Sequence, residues 1–261
     1  MRPCGAFRGV PSCWHDTNEQ LLRGVLALGA AIALSVGGIA AVIAYPAPLF
    51  AHQVTVGELT IRSTQPIPES AIPYLRDVDL TPRVAVPLID GPVEIYLVDS
   101  GWRRRIFFGI APYAGGITYA GLAPRHLFLS GADFDQGLLL HSGHLIAPPR
   151  DLAYYLRHEF NHLAMADDLG FIAYARLPAW VREGIADMAA LGPPDRAVLD
   201  AALGDDPVTL AQRIAFSSYP RARLLADWML ETHGYDALIN TDWSEAEAIT
   251  HFRAHIRALD G

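Results

Sequence analysis

The longest apolar run in the chain, GVLALGAAIALSVGGIAAVIAY, extends from Gly24 to Tyr45 without a charge. As a helix rising 1.5 Å per residue it reaches roughly 33 Å, enough to cross a hydrocarbon core of about 30 Å. It exceeds the roughly 7 to 15 apolar residues of a cleaved signal, so a retained anchor is expected, although AVIAYPAPLFA offers small residues to a signal peptidase. A linker over 46–52 follows. Between 53 and 63 (QVTVGELTIRS) apolar and polar residues alternate, which predicts a half-buried strand. The prolines of QPIPESAIPYLRDVDL suit a turn and a helix start, with Ala71, Tyr74, Leu75 and Val78 at helical spacing. Short strands are predicted at 92–100, 104–110, 116–122 and 125–131, separated by Gly, Pro, Asp and Ser. A polar loop through His141 and His144 then leads to APPRD.

At Asp151 the period changes from two to 3.6. Asp151 follows two prolines and precedes an apolar-periodic run, as an N-cap should, and Gly170 is a suitable stop, so a helix is predicted to about Asp168. A second helix is predicted from Pro178 to Leu191, opened by proline in its first turn. DRAVLDAAL, PRARLLADWMLETHG and SEAEAITHFRAHIRAL predict three more. Strands first and helices second describe an α+β domain over 53–261, behind one N-terminal transmembrane helix.

Charge and cysteine usage narrow the picture. The net charge of −8 argues against a nucleic-acid partner. All twenty basic residues are arginine, and their placement orients the anchor. Arg2, Arg8 and Arg23 precede the span, and the next is Arg62, so the N-terminal segment 1–23 is expected in the cytoplasm and the body outside. Cys4 and Cys13, the two cysteines, fall on the cytoplasmic side, and no disulfide framework or cysteine metal site is available to the body.

The chemistry concentrates in RHEFNH. On a helix His158 and His162 stand one turn apart on one face and can share an ion, and Glu159 borders that face. Leu152, Leu156, Phe160 and Leu163 form the opposite stripe and should anchor the helix in the core. A catalytic zinc needs a third protein ligand and an open position. Glu183, 21 residues after His162, lies where a returning helix can present a carboxylate. Asp187, one turn further, is placed to accept a hydrogen bond from a ligand imidazole. Asp168 is nearer in sequence, but the helix carries it away from the ion. His141, His144, His233, His251 and His255 lack compatible partners and are read as structural or exposed.

HEFNH at 158–162, followed by LPAWVREGIAD at 177–187, resembles the gluzincin metallopeptidases, in which an H-E-x-x-H helix is completed by a Glu in a W-x-x-E-G-x-A segment. The resemblance covers about thirty residues and implies a zincin-like catalytic domain binding one Zn²⁺. It implies His158, His162 and Glu183 as ligands, Glu159 as catalytic base and Asp187 as the partner behind a ligand histidine. Met165 stands where the branch using Asp168 would need glycine. FSSYPRARLLADWMLETHG is similar to the family's downstream helix and makes Tyr219 the candidate for oxyanion stabilisation, although Pro220 departs from a mid-helix setting. The implied activity is hydrolysis of exported or envelope peptides by a membrane-anchored zinc metallopeptidase. The alternative is a catalytically inactive zincin-like binding module of the cell envelope. An intramembrane protease is disfavoured because Arg157, Asn161, Asp167 and Asp168 surround the motif.

Overall fold

The computed structural model describes residues 13–98, 101–194 and 219–259, with side chains from residue 25 onward. The chain divides into two units, Met1–Ala44 and Tyr45–Gly261. In the first, helix α1 runs from Cys13 to Ala44, and its Val25–Ala44 part is long and apolar enough to cross a membrane.

The second unit is mixed α+β. Its strands are β1 (His52–Val56), β2 (Leu59–Ser63), β3 (Val93–Leu97), β4 (Gly116–Thr118) and β5 (His126–Leu129), joined in the order β1-β2-β3-β5-β4. The alternating stretch 53–63 is not one strand but a hairpin. Gly57, at φ 59°, turns the chain in two residues, and the alternation continues on the returning strand. Parallel pairing of β2 with β3, and of β3 with β5, demands crossovers. Helix α2 (Ala71–Asp77) lies in the first, and α3 (Gly101–Phe107) in the second. The strand expected at 104–110 is therefore corrected: its first residues are helical, and Phe107 stacks on Phe128 of β5 at 4.6 Å. The polar loop through His141 and His144 is also corrected, to a short antiparallel ladder of β6 (Ala132–Asp133), β7 (Leu138–His141) and β8 (His144–Leu145).

The sheet has two different faces. Ile61, Ile95 and Leu127 stand side by side in register on one, and pack with Leu152, Leu156, Phe160 and Leu163 of helix α4 (Leu152–Leu169). That is the stripe expected to anchor the helix. Asp151 caps α4 by accepting a hydrogen bond from Tyr154 N at 2.8 Å, and Gly170 ends it at φ 77°. Helices α5 (Phe171–Arg176), α6 (Ala179–Leu191), α7 (Tyr219–His233), α8 (Tyr235–Ile239) and α9 (Glu245–Leu259) complete the described residues. The pattern had not foretold α5 and α8, and the helix expected at 195–203 lies outside the described residues. Helices α6 and α7 come very close. A Cβ on Gly184 would meet Ala222 O at 2.4 Å, so the glycine is a steric requirement of the pairing.

The other sheet face carries a charged cluster. Glu94 accepts from Arg62 Nη2 at 2.9 Å and from the Tyr96 hydroxyl, and His126 Nε2 lies 3.6 Å away. Burial alone would raise the Glu94 pKa, but the bonds from Tyr96 and Arg62 and the Arg62 charge bring it below its ordinary 4.5. The unfolded chain thus takes the proton first. Glu94 contributes its stability fully above pH 4.5 and loses it as pH falls through the lowered folded value. Thermal melts from pH 7 to pH 3 should show a smaller loss of stability below pH 4.5 in Glu94→Gln than in the wild type. Parallel curves would refute the assignment.

Candidate metal centre

Helix α4 presents His158, Glu159 and His162 on the side away from its leucine stripe, and α6 returns beside it with Glu183 and Asp187. Histidines 158 and 162 and Glu159 are buried; Glu183 is half-buried. His158 Nε2 and His162 Nε2 are 3.2 Å apart, and Glu183 Oε2 lies 3.4 Å from the first and 3.6 Å from the second. Two imidazole nitrogens and a carboxylate oxygen thus converge on one point. The three side chains can hold one metal ion. A point equidistant from the three atoms lies about 2.0 Å from each, which is the length of a metal–imidazole bond.

The outer nitrogens explain why the inner ones are available. Tyr154 donates its hydroxyl hydrogen to Asp187 Oδ1 at 2.6 Å, which leaves its oxygen to accept. His158 Nδ1 lies 3.5 Å from that oxygen, an arrangement in which Nδ1 can keep its hydrogen while Nε2 turns to Glu183, sharing a proton with it or, with that proton displaced, offering a lone pair to a metal ion. His162 Nδ1 is 3.1 Å from the Tyr174 hydroxyl. Asp187 therefore acts on His158 through a tyrosine, where direct contact with a ligand imidazole had been expected. Asp187 also has Arg150 Nη2 at 3.7 Å and Arg223 Nε at 3.6 Å, so one buried carboxylate sits between two guanidiniums.

The two glutamates have opposite environments. Burial pushes the Glu159 carboxyl up to about 7, with the His162 charge opposing and the Glu183 charge adding. Burial also raises Glu183, but the His162 charge and hydrogen bonds from both imidazoles outweigh it and hold the group well below 4.5. The site thus holds Glu183 as the anion and pushes Glu159 toward its neutral form. Edge strand β4 confines Glu159: a Cβ on Gly116 would fall 2.7 Å from Glu159 Oε1, so only glycine lets the strand approach so closely.

Tyr219, the first residue of α7, stands with its ring perpendicular to His158 at 5.5 Å. Pro220 falls in the first turn of that helix, where proline is tolerated, so it causes no break. Burial and the charges of Glu183 and Glu159 raise the Tyr219 pKa, which keeps the hydroxyl protonated. A cleft of about 550 Å³ opens beside the centre, lined by Gly116, Arg150, Tyr155, His158, Glu159 and Tyr219. A smaller cavity, about 350 Å³, lies along α4 at Arg157 and Asn161, and none of His158, Glu159, His162 and Glu183 lines it.

Asp168, the nearer carboxylate, does not belong to the ligand group. His141 lies 3.5 Å from Arg104, His144 is exposed, His251 stacks on Trp243, and His233 and His255 lie against Trp228. Sequence reasoning missed Tyr154, Tyr174, Arg150 and Gly116. Tyr154 carried a signal, because it stands four residues before His158 on the same helix face. Compared with protein-family models, curated proteins and solved structures, the chain matches none.

Proposed function

We propose that the chain is a membrane-anchored zinc metallopeptidase with a zincin-like body of gluzincin type, cleaving exported or envelope peptides. The observation that carries this reading is the triangle of ligand atoms. Ligands about 2.05 Å from a tetrahedral ion stand about 3.3 to 3.4 Å apart, whereas an octahedral face at that bond length brings them to about 2.9 Å. The separations of 3.2, 3.4 and 3.6 Å are compatible with a tetrahedral ion at that bond length. Two imidazoles with one carboxylate suit zinc better than magnesium or calcium. Helix α1 is read as the anchor, and Arg2, Arg8 and Arg23, all before its apolar Val25–Ala44 part, favour a body on the outer side by the positive-inside rule.

His158, His162 and Glu183 would hold a zinc ion, which would supply a Lewis acid and lower the pKa of a bound water toward about 7. Glu159, whose buried carboxyl is pushed up to about 7, would take a proton from the attacking water and release it to the departing amine nitrogen. Tyr219 donates its O–H to the oxygen of the scissile carbonyl. Strand β4 lies against Glu159 and at the edge of the sheet among the described residues, where an extended peptide would pair. Asp187 and Tyr154 keep the His158 ring in orientation.

The test is metal analysis of the purified full-length protein together with cleavage of a generic peptide library. About one zinc per chain is expected, with cleavage abolished by a chelator and restored by zinc. His158→Ala should lose the metal. Equal metal content in His158→Ala and wild type, or zinc-loaded protein that cleaves nothing in the library, would overturn the reading.

A further inference from the structure

In a chain of net charge −8, no acidic residue occurs from Ser100 to Ala132, while Arg103, Arg104, Arg105 and Arg125 do. The positive stretch begins with α3 and continues into a segment of unusually exposed apolar side chains. Trp102 is 50% exposed, Ile110 80% and Tyr113 91%. Burying none of these in the fold is costly unless something else covers them.

Their place in the body bears on what would cover them. Arg103 Nε donates to Leu49 O at 3.2 Å, and Phe50 packs on Phe107 at 5.9 Å, so α3 lies against the first residues of the second unit. Leu49 is five residues beyond Ala44, the last residue of the apolar helix. Five residues reach at most about 18 Å, and less here because 47–49 form a turn of 3₁₀ helix. Exposed Trp and Tyr interleaved with arginine is the composition of the bilayer interface, where the rings sit at headgroup level and the cations meet anionic lipid. A depression of about 700 Å³ between α3 and the following loop is lined by Trp102, Arg104, Arg105, Phe108 and Pro112. It has the size and charge for a phospholipid headgroup. Ile110 and Tyr113 also line the cleft that holds His158 and Glu159.

We infer that residues 101–113 are a membrane-contacting surface that seats anionic phospholipid headgroups and inserts Ile110 and Tyr113, so that the catalytic cleft opens at the bilayer. The inference rests on the reading of α1 as a membrane span. It narrows the substrate class to peptides held at or emerging from the membrane surface, because the wall of the cleft is itself in the lipid interface.

Spin labels test this without relying on turnover. Cys4 and Cys13 are replaced by Ser in the full-length protein. A single cysteine is then introduced at Ile110 or Tyr113, or, as controls, at the exposed Gln136 or Asp236. The labelled proteins are reconstituted into nanodiscs of zwitterionic lipid, alone or with about a third anionic lipid. Labels at 110 and 113 should collide with oxygen more than with a water-soluble nickel complex, most clearly with anionic lipid, while 136 and 236 stay aqueous. Arg105→Gln with Arg104→Gln should remove the dependence on anionic lipid. Aqueous labels at 110 and 113 in both lipids, or equal depth with and without anionic lipid, would overturn the inference. Protein that fails to enter nanodiscs at all would overturn the membrane span instead. Metal content measured on the same samples keeps the zinc reading separate.

Discussion

On the proposed function, Glu159→Gln is expected to lose about 10²- to 10⁴-fold in peptide turnover with the metal content of the wild type. The glutamine has the same shape, so it fits beneath Gly116, where the Glu159 carboxylate already occupies the space a Cβ would need. It lacks only the capacity to take a proton. Glu159 is also outside the ligand triangle of His158, His162 and Glu183, so its replacement leaves all three ligand atoms in place. The loss should appear in kcat with KM little changed, because the proposed role of the group is to take a proton rather than to hold the peptide. Gly116→Ala provides a second view of the same contact. Its methyl would stand 2.7 Å from Glu159 Oε1 and must displace either the carboxylate or the strand, so turnover should fall with zinc retained. The measurements are metal content per chain and steady-state kinetics on a cleaved library peptide. Wild-type turnover in Glu159→Gln would remove Glu159 from the mechanism, and metal loss in it would make Glu159 a ligand.

The parts of this architecture that could be read from sequence are those whose signals are local. Helix α4 has its cap, stripe and stop within twenty residues, and its observed bounds agree with the expected ones to within one residue. Helix α6 is equally legible from Pro178 and the apolar run that follows. The errors occur where distant contacts decide. The segment 104–110 has the aromatic and β-branched residues of a strand, but a parallel β3–β5 pair requires a crossover there, and Phe107 gains more by stacking on Phe128. The β1–β2 hairpin was hidden because a two-residue turn preserves alternation. The same division holds at the candidate metal centre. The His158 and His162 pair is a property of one helix, and Glu183 follows from one return of the chain. Tyr174 depends on how the short helix α5 folds back over His162, and Gly116 on which strand lies beside α4. No spacing along the chain encodes either.

Asp187→Ala is expected to cost about 3 to 5 kcal/mol of folding stability, the usual result of removing one partner from a buried ion pair. Asp187 is 1% exposed, and its carboxylate is shared by Arg150 and Arg223, so truncation leaves two positive charges facing each other across the space it occupied. The same truncation removes the acceptor of the Tyr154 hydroxyl and so frees that hydroxyl to compete for His158 Nδ1. Metal affinity should therefore fall by about 10- to 100-fold, as it does when the partner behind a ligand histidine is lost. Asp187→Asn separates the two roles. Its amide oxygen can still accept from Tyr154, so the histidine keeps its orientation, but the negative charge between the guanidiniums is gone. Chemical denaturation should show most of the stability loss in both variants, and metal titration should show the full affinity loss only in Asp187→Ala. Stability within about 0.5 kcal/mol of wild type in Asp187→Ala would mean that the two arginines are held by other contacts. Equal affinity losses in the two variants would mean that the charge, rather than the Tyr154 hydrogen bond, sets the orientation of His158.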